Sequence, residues 1–254
     1  MRYLVLSDIH SNLEALRAVI AATEGAYDEI ICCGDLIGYG PDPNAVVEWV
    51  RASVPIVVRG NHDRVCSGAP IPKDFSPPAR ASAIWTRKQL TPETLEYVKK
   101  LPRGPLEVAG EFAILHGSPR DEDEYIPFAA AAVGVFPFLK HHVSFFGHTH
   151  IQGGFVKHRR RISEIPARLL GQRAAVLSLP RGVIALEEDH IYYLNPGSVG
   201  QPRDRDNRAA FAIYDTTAGK VEYGRTAYDF EPTMRKILLA GLPDFLAFRL
   251  PMGR

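Results

Sequence analysis

The sequence has few cysteines and almost no net charge. Only three of its 254 residues are cysteines, and two of them, Cys32 and Cys33, are adjacent in an apolar run, where a strand would direct them to opposite faces. A disulfide-stabilised fold is therefore not expected. The formal net charge of +1 gives no indication of affinity for nucleic acids or membranes. Binding specificity must come from a localised site.

No apolar stretch has the roughly 20 residues that cross a bilayer. The most apolar later stretch, residues 128–139, is shorter and contains Gly134 and Pro137. Buried core is its favoured place, although a dimer interface or a cap over the site also fits. The N-terminal apolar run is too brief for a signal peptide. We therefore expect a cytoplasmic protein without a membrane partner, and a homo-oligomer is compatible with the sequence.

The composition is that of an ordinary globular protein, with 46% hydrophobic and 23% charged residues. The length allows one large domain or two small ones. Because no internal repeat, low-complexity segment or convincing linker interrupts the chain, we expect residues 1–254 to form a single domain.

Five short apolar runs each end in a cluster of Gly, Asn, Asp or His, which is typical of buried strands that lead into loops. The clusters hold seven candidate metal ligands: Asp8, His10, Asp35, Asn61, His116, His148 and His150. In open α/β sheets such loops converge at the carboxyl ends of the strands. Alternate residues of an extended chain point to the same side, so both His148 and His150, like Asp8 and His10, are expected to face the site.

The first third of the chain alternates strands and helices, which favours a parallel α/β core. Strands are predicted at residues 2–7, 29–33 and 55–58, and helices at 12–23, 44–52, 78–88 and 92–100. Asn12 is the predicted N-cap of the first helix. Residues 64–74 are predicted to form a loop. Gly34, Gly60 and Gly147 are expected to allow tight turns and close backbone approach.

The later chain is rich in short strands. A hairpin is predicted at residues 106–108 and 112–115. Beyond residue 150, predicted strands at 153–158, 174–179, 183–187, 191–194, 210–214 and 221–226 suggest a second, largely antiparallel sheet. A terminal helix is predicted at residues 231–240. The basic run 157–161 is expected to be a solvated face.

The seven candidate ligands supply nitrogen and oxygen atoms and no thiolate. Such a set suits divalent manganese, iron, zinc, cobalt or nickel. Seven ligands are too many for one tetrahedral site, but they fit two metals that share a carboxylate. Two metals roughly 3.5–4 Å apart can stabilise both the attacking and the leaving oxygen of a displacement at phosphorus. Hydrolysis of a phosphate ester is the natural use of such a site.

The motifs also carry a resemblance. DIH, GDLIGYG, GNHD, HGS and GHTH, in this order over residues 8–150, resemble the calcineurin-like metallophosphoesterase family. The stretch NPGSVGQPRD at 195–204 is similar to the prokaryotic phosphodiesterase-like branch of that family, and it fits either a substrate loop or a structural turn. The resemblance implies an α/β fold, α+β in some schemes, that forms a four-layer α-β-β-α sandwich of two mixed β-sheets flanked by helices.

The resemblance further implies roles for the site residues. Asp8, His10 and His150 would hold the first metal. Asn61, His116 and His148 would hold the second, and Asp35 would bridge the two. A hydroxide between two divalent metal ions, with manganese favoured, would attack phosphorus. His62 would then act as the general acid for the departing alkoxide or as a donor to a phosphate oxygen.

One departure from the family pattern narrows the range of expected substrates. The protein-phosphatase branch continues the second motif with Asp, Arg and Gly, whereas this chain has Gly38, Tyr39 and Gly40. This argues against a phosphoprotein substrate and leaves phosphate binding to other residues, for which Asn12 and Arg203 are our candidates. Asp63 is not assumed to orient His62.

Taken singly, each of these polar residues is more often a helix cap, a turn residue or a structural histidine. The joint occurrence of five clusters in a fixed order outweighs that interpretation. We therefore expect a phosphoesterase that acts on phosphodiester or nucleotide phosphoanhydride bonds of a small phosphate ester or nucleotide. The alternatives are a phosphomonoesterase using the same site and a non-catalytic metal-binding scaffold for protein recognition. Relatives used as scaffolds tend to lose His62 or a ligand, and none is lost here.

Overall fold

The central strand of the first sheet is β1 (Arg2–Leu6), which is buried on both faces after Arg2. Tyr3 and Val5 point into one hydrophobic core, and Leu4 and Leu6 point into another. Such burial explains why this strand is continuously apolar rather than alternating. The computed structural model describes residues 1–166 and 182–254.

The first sheet is mixed. Its order is β3-β2-β1-β11-β12-β9, with β2 at Glu29–Cys32, β3 at Ile56–Val57, β9 at Val183–Ala185, β11 at Ala209–Asp215 and β12 at Lys220–Thr226. The pairs β1–β2 and β2–β3 are parallel, whereas β11, β12 and β9 continue the sheet in antiparallel pairing.

The second sheet is mixed as well. Its order is β4-β5-β6-β10-β7-β8, with β4 at Leu106–Val108, β5 at Phe112–Ile114, β6 at Val143–Phe145, β7 at Gly153–His158, β8 at Arg161–Pro166 and β10 at His190–Asn195. Strands β4 and β5 form the predicted hairpin, and β6 runs parallel to both of its neighbours.

Aromatic side chains join the two sheets face to face. The Phe112 ring of β5 lies 5.1 Å from the rings of both Tyr3 and Tyr214, which belong to the first sheet. Cys33 also faces this core, while Cys32 faces the helices, which confirms the prediction for this pair; all three cysteines are buried and unbonded.

Helices cover the outer faces of both sheets. The first sheet is covered by helices Leu13–Ala22, Pro43–Ser53, Asn61–Cys66, Pro77–Gln89 and Pro92–Lys99. The second sheet is covered by the short helix Ala129–Ala132 and the 3₁₀ turn Phe136–Phe138. Helices Glu231–Leu239 and Asp244–Phe248, with the 3₁₀ turn Leu250–Met252, pack beside Tyr39. The expected four-layer sandwich of two mixed sheets is thus confirmed.

The predicted division of strands between the sheets was wrong. Strands β9, β11 and β12 do not form a separate C-terminal sheet but join β1 in the first one. The β4–β5 hairpin and β6, which lie earlier in the chain, belong to the second sheet. Strand pairing depends on partners far apart in sequence, which local alternation of apolar residues does not specify.

Several boundaries also differ from the prediction. The loop predicted from residue 64 begins later, because helix Asn61–Cys66 occupies its start, and β8 was missed within a basic stretch. The helix predicted at 231–240 is followed by a further helix, Asp244–Phe248, that was not predicted. The strand predicted at 174–179 lies outside the described residues.

The stretch 128–139 is only partly core. Ala132, Val135 and Phe136 are buried, whereas Phe128 and Phe138 are about half exposed.

The described helices include none with the length and apolar character needed to span a bilayer. That residues 1–254 form a single domain stays a prediction.

Candidate metal centre

The loops that follow β1, β2, β3, β5 and β6 bring all seven candidate ligands together. Two clusters share Asp35: one contains Asp8, His10, Asp35 and His150, and the other contains Asp35, His116 and His148. Within each cluster the candidate ligand atoms lie within 4.8 Å of one another. Asn61 joins the second group, because its Oδ1 lies 3.1 Å from His116 Nε2.

Left-handed backbone, not extended chain, directs these side chains inward. The φ angles are 52° at Asp8, 49° at His10, 54° at Asp35, 66° at His148 and 60° at His150. The expectation of an extended chain was therefore wrong, although both pairs reach the site. The turn sends His148 and His150 to different clusters. Such strained conformations persist only where surrounding contacts enforce them, and they concentrate at functional sites.

A backbone carbonyl orients each of the four histidines. Three of them place Nδ1 near a carbonyl oxygen: His10 at 3.1 Å from Ile37, His116 at 2.8 Å from Cys33 and His150 at 2.6 Å from Gln201. His148 instead places Nε2 at 3.1 Å from the Asp123 carbonyl. A carbonyl can only accept, so these nitrogens donate and the opposite ring nitrogen faces the site. Metal-binding histidines typically have such a partner.

The atoms that face the site are mutually repulsive unless a positive charge lies between them. His10 Nε2 lies 3.0 Å from His150 Nε2, and His116 Nε2 lies 3.4 Å from Asp35 Oδ2. Asp35 Oδ2 is also 3.5 Å from His10 Nε2, and it is buried without a hydrogen-bond partner among the described residues. Lone pairs and carboxylates that converge in this way fit a divalent cation in each cluster.

The pKa values of the clustered residues also indicate that positive charge is favoured at this site. Burial raises the pKa of Asp8 to about 7. Burial also opposes protonation of His116, but the neighbouring Asp35 carboxylate outweighs it and raises the pKa of His116 to about 10. Burial holds the pKa of Asp35 up, yet the adjacent His116 and His62 lower it well below its usual range. The shared carboxylate is therefore ionised, and its charge favours a protonated His116 or a bound cation.

Asp63 holds two of the loops together, a role that the sequence interpretation missed. Its Oδ1 accepts hydrogen bonds from the backbone N–H groups of Leu36 (2.9 Å) and Ile37 (3.2 Å), and its Oδ2 accepts one from Gly60 N (2.9 Å). Asp63 thus does not orient His62. An acidic residue three positions after Gly60, at the start of a helix, is the sequence feature that could have identified this role. No comparable feature of the sequence identifies the Asp123 carbonyl as the group that orients His148.

Residues 195–201 hold two further loops in place, those after β6 and β1. Asn195 Nδ2 donates to the carbonyl of Gly147 (2.8 Å) and to Thr149 Oγ1 (3.1 Å). Ser198 Oγ donates to the carbonyl of Asp8 (2.7 Å). This part of the stretch is therefore structural.

All three glycines permit the close approach that was predicted, since a Cβ atom on Gly34 would lie 2.6 Å from Gly60 N. A Cβ atom on Gly60 would lie 2.1 Å from Asp35 Oδ1, and one on Gly147 would lie 2.0 Å from Ser7 Oγ. Any larger residue would push the loops apart, so these glycines let the backbone lie close to the candidate ligands Asp35 and Asp8.

A cavity of about 260 Å³ opens onto the two clusters. His62 lines it, with its ring centroid 4.3 Å from that of Tyr39 and 5.0 Å from that of Phe75. The His62 backbone N–H donates to Asp35 Oδ1 at 2.8 Å, while Nδ1 has no partner among the described residues. Burial lowers the pKa of His62 to about 4.

Only one of the two candidate phosphate-binding residues lies at this cavity. Arg203 lines it, with its guanidinium carbon 5.6 Å from the Tyr39 ring centroid and Nη2 donating to Gln201 Oε1 at 2.9 Å.

The structure does not bring Asn12 there. Its Nδ2 donates to Gly200 O (2.9 Å) and Tyr228 Oη (3.1 Å), and its Oδ1 accepts from Ala15 N (3.1 Å). The amide is occupied in capping helix Leu13–Ala22, which confirms the predicted N-cap. We therefore do not retain Asn12 as a substrate residue.

Known proteins share this architecture. Residues 1–219 match the family model of the calcineurin-like phosphoesterase superfamily domain. An uncharacterized protein of Methanocaldococcus jannaschii is 35% identical over 98% of this chain and 97% of its own length. A metallophosphoesterase from Sphaerobacter thermophilus superposes with a TM-score of 0.82 at 36% identity, covering 100% of this chain and 99% of that one. A hypothetical protein from Pyrococcus horikoshii, 19% identical over 100% of this chain and 98% of its own, shares the fold with a TM-score of 0.77.

Replacing Asp63 with alanine is expected to lower the free energy of unfolding by about 3 kcal/mol or more, because three buried N–H groups lose their acceptor at about 1–3 kcal/mol each. Urea denaturation measures this change. The matched control is Asp74→Ala, which removes an exposed carboxylate from the rim of the same cavity and should change stability little. Equal stability of the two variants would contradict the role assigned to Asp63.

Proposed function

Because the chain belongs to the calcineurin-like phosphoesterase superfamily, we propose that it hydrolyses phosphodiester or nucleotide phosphoanhydride bonds with two divalent metal ions. The position of Asp35 carries this proposal. Its Oδ2 lies 3.5 Å from His10 Nε2 in one cluster and 3.4 Å from His116 Nε2 in the other. A single carboxylate that faces two sets of nitrogen and oxygen ligands suits a pair of cations.

The proposed ligand sets follow the two clusters. Asp8, His10 and His150 would hold one ion. Asn61, His116 and His148 would hold the other, with Asp35 shared. Manganese is our first choice, and iron, zinc, cobalt and nickel suit the same ligands. Bound there, the two ions would polarise the phosphoryl oxygens and lower the pKa of a water molecule.

The charges around the cavity favour a diester over a monoester. Among the described residues that line it, Arg203 is the one lysine or arginine, whereas Asp74 contributes an exposed carboxylate and the Asp123 carboxylate is paired with Arg64 at 2.6 Å. A monoester carries an additional negative charge, for which the described lining offers no further lysine or arginine. Arg203 would bind the single charge of a diester. A cavity of about 260 Å³ also suits the phosphate region of a small ester or nucleotide.

His62 is placed to serve the leaving group. Its ring lines the cavity and packs against Tyr39 and Phe75, which hold it in one orientation. A bound phosphate anion would favour the imidazolium form and so oppose the effect of burial on the pKa of His62. We assign His62 the transfer of a proton to the departing oxygen.

The cytoplasmic location and a homo-oligomeric state stay predictions.

The first test is hydrolysis of methyl 4-nitrophenyl phosphate by chelator-treated protein, with 4-nitrophenyl phosphate assayed in parallel. Added manganese is expected to restore turnover of the diester to a rate above that of the monoester. The reverse preference would make the protein a phosphomonoesterase. Absence of turnover with every divalent metal would favour the non-catalytic scaffold.

Metal binding is tested independently of turnover. Calorimetric titration of the chelator-treated chain should show two manganese ions per chain, and Asp35→Asn should weaken both sites at least tenfold because the shared carboxylate is lost. Electron paramagnetic resonance should show coupling between the two ions. Asp74→Asn, which changes a carboxylate outside both clusters, should leave the stoichiometry at two. A single site in the unmodified chain would contradict the proposal.

The role of His62 is tested by His62→Asn with two leaving groups of different basicity. Loss of a general acid costs roughly 10²–10⁴ in rate, and it costs more when the departing oxygen is more basic. We therefore expect a larger fall in kcat for methyl phenyl phosphate than for methyl 4-nitrophenyl phosphate. Equal falls would instead make His62 a donor to a phosphate oxygen.

A further inference from the structure

A second cavity of about 420 Å³ lies next to the metal centre. Its volume falls within the roughly 300–1,000 Å³ typical of small-molecule sites. It contains none of the seven candidate metal ligands, and among the described residues it shares only Arg203 with the first cavity.

The two cavities lie on either side of the same chain segments. Tyr125 lines the first and its neighbour Ile126 lines the second. Thr149, which lies between the two histidines of the GHTH motif, lines the second. The Tyr125 hydroxyl also donates to the Thr149 carbonyl at 3.2 Å. Because Arg203 lines both cavities, the second cavity adjoins the first at this side chain.

The lining of this cavity combines apolar and polar groups in similar proportion. Ile126, Phe146, Phe155 and Ile165 supply apolar surface. Arg203 Nε and Asp204 Oδ1 are buried without a hydrogen-bond partner among the described residues, while the other oxygen of Asp204 is paired with Arg225. Buried polar atoms left without partners are costly, so a ligand that bonds to them would be favoured.

We propose that this cavity binds the ester substituent that stays on phosphorus, and that this substituent is a nucleoside. The inference rests on the proposed function. His62 lines only the first cavity, so the departing group leaves there and the other substituent extends past Arg203. The apolar surface accommodates the base, and Arg203 Nε and Asp204 Oδ1 bond to its polar edge or to the sugar. A monoester substrate has no ester substituent besides its departing group, so its hydrolysis gains nothing from this cavity.

The test compares thymidine 5′-(4-nitrophenyl) phosphate with methyl 4-nitrophenyl phosphate in the manganese-loaded protein. Both have the same leaving group, and both retain a primary alkyl ester, so their intrinsic reactivities are similar. We expect kcat/KM to be at least tenfold higher for the thymidine ester. Calorimetry should likewise show at least tenfold tighter binding of thymidine 5′-monophosphate than of methyl phosphate.

Variants that fill the second cavity test whether the preference for the thymidine ester arises there. Ile165→Trp and Ile151→Trp enter it from two different segments, and each should reduce the ratio of the two kcat/KM values at least fivefold. The methyl ester is the internal reference in each variant. The control is Arg161→Trp, an exposed position on the same strand as Ile165 that lines neither cavity, which should leave the ratio unchanged.

The outcomes separate the two proposals. Equal kcat/KM values for the two esters, or a ratio that neither filling variant changes, would overturn the nucleoside site while the phosphodiesterase proposal stands. Absence of turnover of both esters would overturn the proposed function and this inference together.

Discussion

The ionised, buried carboxylate of Asp35 is the constraint on which the site depends. Its Oδ2 has nitrogen atoms of His10 and His116 at 3.5 Å and 3.4 Å and no hydrogen-bond donor among the described residues. A buried negative charge is tolerated only when positive charge or hydrogen bonds compensate it. A proton on His116, whose pKa is raised to about 10, or a bound cation supplies that positive charge.

The rest of the architecture serves to hold those loops in a strained arrangement. Asp63 joins the loop after β2 to the helix after β3, and Asn195 and Ser198 join the loops after β6 and β1. Each contact satisfies a buried backbone group that the left-handed turns leave without a partner in a sheet. The two packed sheets provide a rigid base, so that the strain at Asp8 or His150 is maintained and not relaxed.

The local features of the fold could be predicted because they depend on neighbouring residues. Asn12 was identified as a helix cap, and the hairpin β4–β5 was placed within a residue, since capping and turn formation are decided within a few positions. The choice of partners for β9 and β11 was not predictable, because it depends on contacts between remote strands. Asn12 failed as a phosphate-binding candidate for a related reason: Gly200 and Tyr228, far along the chain, already occupy its amide.

By itself the sequence determined the inventory of the site: seven nitrogen and oxygen ligands at the ends of apolar runs, in an order that resembles one enzyme family. Only the tertiary structure decided how these ligands are grouped, which ring nitrogen of each histidine faces inward, and that Arg203 lies between two cavities. Ligand type is a property of single residues, whereas grouping and orientation require loops from five strands to meet at one point. That meeting is set by the pairing and packing of the two sheets.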